Sequence, residues 1–74
     1  MNINERIEYD KKKFLENCIK RRQELGYSQS QLAKIMDATQ QNISSFELGK
    51  TNARLNFIVR YLACLGLDIN DAIK

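Results

Sequence analysis

The sequence predicts an all-α fold, a compact domain of five helices, and three observations support this prediction. The 74 residues contain no proline and only three glycines, so little interrupts helical backbone. Apolar residues recur every three or four positions through most of the chain, which is the spacing of a helix with one buried face. No segment shows the sustained alternation of apolar and polar residues that is typical of strands.

The first predicted helix carries apolar residues on one face. These residues are Phe14, Leu15, Cys18, Ile19 and Leu25. Residues 1–13 are predicted to be helical and continuous with it, because Glu5 and Glu8 suit the positive end of a helix dipole. Gly26 fits the left-handed position that often follows a helix. The chain is therefore divided into an N-terminal extension, 1–13, and a domain, 14–74.

Two short helices follow, each preceded by a capping residue. The first covers about residues 29–36, with Ser28 and Gln31 forming a capping box. The second covers about residues 40–48 and starts after Thr39, a good N-cap residue. The side chains predicted to face the core are Leu32, Ala33, Ile35, Met36, Ile43 and Phe46.

A fourth helix is predicted from Arg54 to about Gly66. Its predicted inward residues are Leu55, Ile58, Val59, Leu62, Ala63 and Leu65. A last short helix is expected to start at Asp68 or Asn70 and to carry Ile69 and Ile73.

Composition excludes several classes of function. The chain has no histidine and two cysteines, which we expect to be buried free thiols, so no metal, cofactor or enzymatic activity is predicted. No apolar run approaches the roughly 18 residues that a membrane span requires, and no signal peptide is apparent. The sequence therefore predicts a cytoplasmic protein without a membrane partner.

The outward face of the third helix is polar but uncharged. It consists of Gln40, Gln41, Ser44 and Ser45, opposite Ile43. Glutamine can pair in two ways with adenine, and serine can donate to or accept from a base edge, whereas a carboxylate would repel phosphate. Basic residues are concentrated on either side of this helix, as expected for a polyanion partner. This pattern favours double-stranded DNA read through its major groove.

The stretch from residue 19 to residue 67 resembles the Cro and phage-repressor (XRE-type) helix-turn-helix family. The resemblance is carried by RQELGYSQSQLAKIM, ATQQNISSFELGK and LACLGLD, whose register matches without an insertion. It implies a lambda-repressor-like fold and a repressor-like transcriptional regulator that is encoded by a bacterium or a phage and associated with the nucleoid. It also implies a homodimer that binds a palindromic operator.

The resemblance further implies residue roles. The base-reading positions are Gln40, Gln41, Ser44 and Ser45. The positions that contact the DNA backbone are Gln29, Thr39, Asn42, Lys50, Thr51, Asn52 and Arg54. Arg22 and Glu47 match an internal ion pair. The chain departs from the family at Leu48, where Arg or Asn is frequent, and at Ala53, near a frequent proline.

An alternative function on the same fold is that of an antitoxin, which masks a toxin partner and regulates its own operon. The second interface that this function needs would lie at residues 1–13 or at Ile69–Ile73. The expected dimer surface is the end of the fourth helix with Leu67, Ile69 and Ile73, and the N-terminal extension competes with it. The lysine run 11–13 is expected to be solvated.

Overall fold

Four helices make up the described part of the protein, which in this computed structural model comprises residues 1–68 and 70. They are α1 (Ile3–Glu24), α2 (Gln29–Met36), α3 (Gln40–Glu47) and α4 (Leu55–Cys64). No strand occurs in the described ranges, so the predicted all-α class is confirmed. The predicted fifth helix, with Ile69 and Ile73, lies outside the described residues. None of the described helices is long and apolar enough to cross a membrane.

Helix α1 is the longest element, with 22 residues. It begins at Ile3, because the Asn2 side chain caps it by accepting a hydrogen bond from the Glu5 N–H at 2.9 Å. It ends at Glu24, and Gly26, with a φ of 78°, turns the chain away while the Tyr27 N–H donates to the Arg22 carbonyl. Every residue in 1–13 is exposed, so the first half of α1 extends beyond the core.

Capping boxes fix the starts of α2 and α3. The Gln31 N–H donates to Ser28 Oγ at 3.1 Å, and the Ser28 N–H donates to Gln31 Oε1 at 2.8 Å. Thr39 and Asn42 form the same reciprocal pair at the start of α3. Asp37 adopts a left-handed conformation, φ 57°, which ends α2 and lets the chain turn into α3. These local hydrogen bonds therefore set the short turn of a helix-turn-helix unit.

The core lies where α2, α3 and α4 meet the second half of α1. Its buried side chains are Cys18, Leu32, Ala33, Met36, Ile43, Phe46, Tyr61, Leu62 and Leu65. The Phe46 ring packs against Tyr61 at 4.8 Å and edge-on against Phe57 at 5.3 Å between ring centroids. These contacts hold α3 against α4 and leave the opposite face of α3 outward.

Several side chains predicted to face the core are exposed instead. Ile35 is 52% exposed, Leu55 is 66% exposed and Val59 is 48% exposed. Ala63 is also exposed. On α4, Val59 and Ala63 lie on another side of the helix from the buried Tyr61 and Leu65, and Leu55 is in the first turn, two turns before the buried Leu62. Ile35 lies on a flank of α2 away from its buried residues.

The two cysteines are free thiols but differ in burial. Cys18 is fully buried in the core, whereas Cys64 is only half-buried at the end of α4. The expectation of two buried thiols is therefore wrong for Cys64, because Cys64 lies on a flank of the last turn of α4 that the core covers only in part, unlike the buried Tyr61 and Leu65.

Candidate nucleic-acid interface

The outward face of α3 presents uncharged polar side chains. Gln40 and Gln41 form the first turn of the helix and are exposed. Ser44 and Ser45 follow one turn later and are half-buried. Ile43, on the inner face, is completely buried. The structure thus brings the four predicted base-reading residues to one side of α3, with the two long amides nearest its N-terminus.

A buried ion pair anchors the other end of α3. Arg22 Nε donates to Glu47 Oε2 at 2.7 Å, and Arg22 Nη2 donates to Glu47 Oε1 at 2.9 Å. Arg22 Nη1 also donates to the Tyr27 carbonyl at 2.8 Å, and the Tyr61 hydroxyl donates to Glu47 Oε2 at 2.6 Å. The two hydrogen bonds from Arg22 to Glu47 hold α1 against α3, and the hydrogen bond from Tyr61 to Glu47 holds α4 against α3.

The charge of Glu47 is maintained by its hydrogen bonds. Burial alone would raise the pKa of Glu47, but the hydrogen bonds from Arg22, Tyr61 and Gln29 outweigh burial and lower this pKa. Burial, together with the hydrogen bond to Glu47, raises the pKa of Tyr61 above its usual value. Burial and the nearby Glu47 charge raise the pKa of Cys18 to about 12. Glu47 is therefore ionised, and the side chains that donate hydrogen bonds to it are neutral or cationic.

A chain of hydrogen bonds connects this ion pair to the predicted reading face, which is the outward side of α3 with Gln40, Gln41, Ser44 and Ser45. Gln29 Nε2 donates to Glu47 Oε1 at 3.1 Å, and Gln40 Nε2 donates to Gln29 Oε1 at 3.0 Å. Because an ionised carboxylate only accepts hydrogen bonds, it fixes which end of the Gln29 amide faces Glu47. The Gln29 oxygen then faces Gln40, which leaves the Gln40 oxygen and its second N–H for a base edge. Such a pair matches adenine N7 and N6.

The predicted backbone-contacting residues surround the reading face. Lys50, Thr51, Asn52 and Arg54 are exposed in the segment between α3 and α4. The Lys50 N–H donates to the Ser45 carbonyl at 3.0 Å, which fixes the start of this segment. Gln41, Ser45, Thr51 and Arg54 share the lining of one groove. The reading face and the loop thus form one continuous surface.

Thr39 and Asn42 have structural roles at the start of α3 in addition to their predicted one. Thr39 Oγ1 accepts from the Asn42 N–H at 3.0 Å and donates to Asn42 Oδ1 at 2.7 Å. The Asn42 oxygen is therefore engaged in capping. Its amide N–H groups make no hydrogen bond with the described residues and are available to an external acceptor.

Two arginines of the basic segments are engaged in holding the fold together. Arg21 Nε donates to the Leu65 carbonyl at 3.2 Å, and the Arg60 guanidinium donates to the Met36 carbonyl.

The sequence does not predict the contact of the Tyr61 hydroxyl with Glu47. Its only signal in the sequence is a polar group on an otherwise apolar helical face. Among the described residues, no three His, Cys, Asp or Glu residues are placed to hold a metal ion.

Comparison with known proteins places the chain in a family. A helix-turn-helix family model matches residues 19–71, which is more than half of the chain. The chain belongs to this family, of the XRE type to which Cro and the phage repressors belong, and it is a DNA-binding regulatory domain. The match excludes most of α1. No curated protein and no solved structure matched the chain.

Proposed function

We propose that the protein is a sequence-specific transcriptional regulator that acts as a repressor and reads the DNA major groove with α3. The observation that supports this most strongly is the orientation of Gln40. Its amide is exposed on the first turn of α3 and is held by Gln29, which in turn is held by Glu47. A preoriented amide can pair in two ways with adenine without losing further side-chain freedom on binding.

The remaining outward residues of α3 would complete the reading surface. Gln41 is exposed beside Gln40 and can contact the neighbouring base pair. Ser44 and Ser45 are short and half-buried, so their contacts with bases would run through ordered water. The face contains no carboxylate that would repel the phosphates on either side of the groove.

The loop after α3 would hold the DNA backbone. Lys50 and Arg54 supply charge, and Thr51 and Asn52 supply hydrogen-bond donors. Within residues 1–68, the N-terminal N–H groups of α4 donate no hydrogen bond to the side chain of its N-cap residue, Arg54, because a guanidinium has no acceptor atom. Open N–H groups at a helix N-terminus attract phosphate. Gln29, Thr39 and the free amide of Asn42 would contact the backbone on the other side of α3.

A homodimer on a palindromic operator is the proposed assembly. One module of this size covers only about 600–1,000 Å² of DNA, so two modules on adjacent half-sites would bind much more tightly. The exposed Val59 and Ala63, together with the half-buried Leu67, support a dimer surface at the end of α4. Because its partner is chromosomal or phage DNA, we propose that the protein acts at the bacterial nucleoid, in the cytoplasm.

Two substitutions test this function on an operator obtained by selecting bound genomic fragments. Gln40→Ala should weaken binding to that operator by about 1–3 kcal/mol and relax the preference at one base pair of each half-site. Lys50→Ala should weaken binding to every duplex alike. It should also reduce the slope of log affinity against log salt concentration by about 1, the amount expected for one lost phosphate contact. Fluorescence anisotropy titrations at several salt concentrations measure both effects.

Unrelated duplexes of equal length are the control for base preference, and thermal unfolding confirms that both variants are folded. Unchanged affinity and base preference in both variants would refute the proposed function.

A second function, that of an antitoxin, is favoured by the first half of α1. Ile3 and Ile7 lie one turn apart on the same face of α1 and are 70% and 51% exposed, and these apolar side chains suit a protein partner. A toxin encoded beside this chain, and a stable complex between the two proteins, would support this function. Both activities are compatible, since an antitoxin of this fold would regulate its own operon through α3.

A further inference from the structure

Helix α1 crosses the point where α3 ends and the following loop begins. A Cβ atom added to Gly49 would lie 3.2 Å from Leu15 Cδ1, so α1 is in close contact with the loop that follows α3. Lys11 precedes Leu15 by four residues, and residues with this spacing lie on the same face of a helix. Lys11 is therefore carried over the first residues of the loop that contains Lys50.

The surroundings of Lys11 combine residues of α1 with residues of this loop. Lys11 lines one groove together with Leu48 and Gly49, and it lines an adjoining groove together with Thr51 and Asn52. It is the one charged residue on the second groove. Lys11 is exposed, and it forms no ion pair within the described ranges of the chain. Its ammonium group is thus available next to the proposed phosphate-binding residues.

The two neighbouring lysines have different surroundings. Lys12 shares the first groove with Lys11 but does not line the second, and Glu8 and Glu16, which also line the first groove, lie one turn before and one turn after Lys12 on α1. Lys13 lines a separate groove with Arg6, Asp10 and Phe14, which contains no residue of the loop. Because successive helical residues point in different directions, the run of three lysines does not form a single patch.

We propose that Lys11 binds a DNA phosphate and extends the backbone-contacting surface of the loop onto α1. The inference rests on the proposed function, since it adds a contact to the same DNA complex. A lysine ammonium is a flexible point charge that suits a phosphate at the edge of an interface. Lys11 lies outside residues 19–71, so this contact would belong to the part of the chain outside the family match.

The test compares Lys11→Gln with Lys13→Gln, which remove the same charge and keep similar side-chain length. Lys11→Gln should weaken binding to specific and unrelated duplexes alike. Removal of one phosphate contact reduces the steepness of log affinity against log salt concentration by about 0.9. The ratio of wild-type affinity to Lys11→Gln affinity should therefore fall about 3.5-fold between about 50 mM and 200 mM salt. Phosphate ethylation interference should show one phosphate per half-site whose modification weakens the wild type but not Lys11→Gln.

Lys13→Gln should keep the salt slope and the interference pattern of the wild type. Equal effects of the two substitutions would overturn the inference, because net charge alone would then explain them. If Lys11→Gln binds DNA as tightly as the wild type while Lys50→Ala binds more weakly, the role of Lys11 is overturned and the proposed function stands. If Gln40→Ala and Lys50→Ala also bind as the wild type does, both proposals fail. Both lysines are exposed, and thermal unfolding checks that each variant is folded.

Discussion

Glu47 is the residue on which the geometry of the reading face depends. Its carboxylate receives hydrogen bonds from Arg22, Tyr61 and Gln29, so it connects the core to the surface. The family resemblance implied the pair with Arg22. The contributions of Tyr61 and Gln29 depend on how α2 and α4 approach α3, and local sequence patterns do not contain that information.

The stability of the protein should depend on the ionisation of Glu47. The pKa of Glu47 is lower in the folded protein than its ordinary value of 4.5. A carboxylate with a lowered folded pKa stabilises the fold fully above its unfolded pKa, and this stabilisation is lost as the pH falls through the folded value. We therefore expect Glu47→Gln to cost about 3–5 kcal/mol at neutral pH, because Arg22 remains buried without its counter-charge.

Urea unfolding of the wild type and Glu47→Gln between about pH 2.5 and pH 7 measures this dependence. The difference in free energy of unfolding should be constant near neutrality and should narrow below pH 4.5, the ordinary value for Glu47. Other carboxylates titrate in both proteins and largely cancel in the difference. A difference that stays constant down to the lowest pH would show that the charge of Glu47 does not stabilise the fold.

At the scale of the helices, short-range signals predicted the helix starts well and the buried faces less well. Ser28 and Thr39 cap α2 and α3 as expected, because a capping box needs only residues three positions apart. Ile35 and Val59 were assigned to the core but are exposed. Which flank of a short amphipathic helix is covered depends on its packing partner, and hydrophobic periodicity does not identify that partner.

The packing of α1 on the end of α3 predicts unequal effects of two glycine substitutions. Gly26 and Gly49 both have positive φ, 78° and 70°, so alanine at either position should cost about 1–2 kcal/mol in backbone energy. A Cβ at Gly49 would also press on Leu15 at 3.2 Å, whereas a Cβ at Gly26 would meet nothing within 4 Å. Gly49→Ala should therefore destabilise the protein more.

Chemical unfolding of both variants at the same pH gives the comparison, with Gly26→Ala as the control for backbone strain alone. Equal losses would mean that Leu15 moves aside freely and that α1 is held only loosely over the loop. Such an outcome would also weaken the reason for placing Lys11 there.

At the scale of the whole molecule, the sequence predicts the uncharged polar face of α3 but not the surroundings of Lys11. The amides and hydroxyls of α3 share one face by helical spacing alone, so their side-by-side arrangement follows from the sequence. From the sequence alone the lysine run 11–13 is expected to be solvated, because the sequence does not show where α1 crosses the loop. The surroundings of Lys11 result from tertiary packing through Leu15 and Gly49.

The proposed dimer predicts a dependence on half-site spacing. Two copies related by twofold symmetry should bind best when the half-site centres are about 10 base pairs apart, or one helical turn. Insertion of about five base pairs should weaken binding strongly, because it rotates one half-site to the opposite side of the duplex. Electrophoretic mobility shifts on a series of spacings measure this. Equal binding to a single half-site would contradict the dimer.

The hydrogen bonds from Tyr61 through Glu47 and Gln29 to Gln40 link the packed interior to the first side chain of α3. A new operator preference therefore need not arise from a residue that touches the duplex. An interior substitution that tilts the Gln29 amide would reorient the Gln40 amide and so change the base that Gln40 prefers. Homologues with identical outward residues would then diverge in their target sites through mutations hidden from DNA.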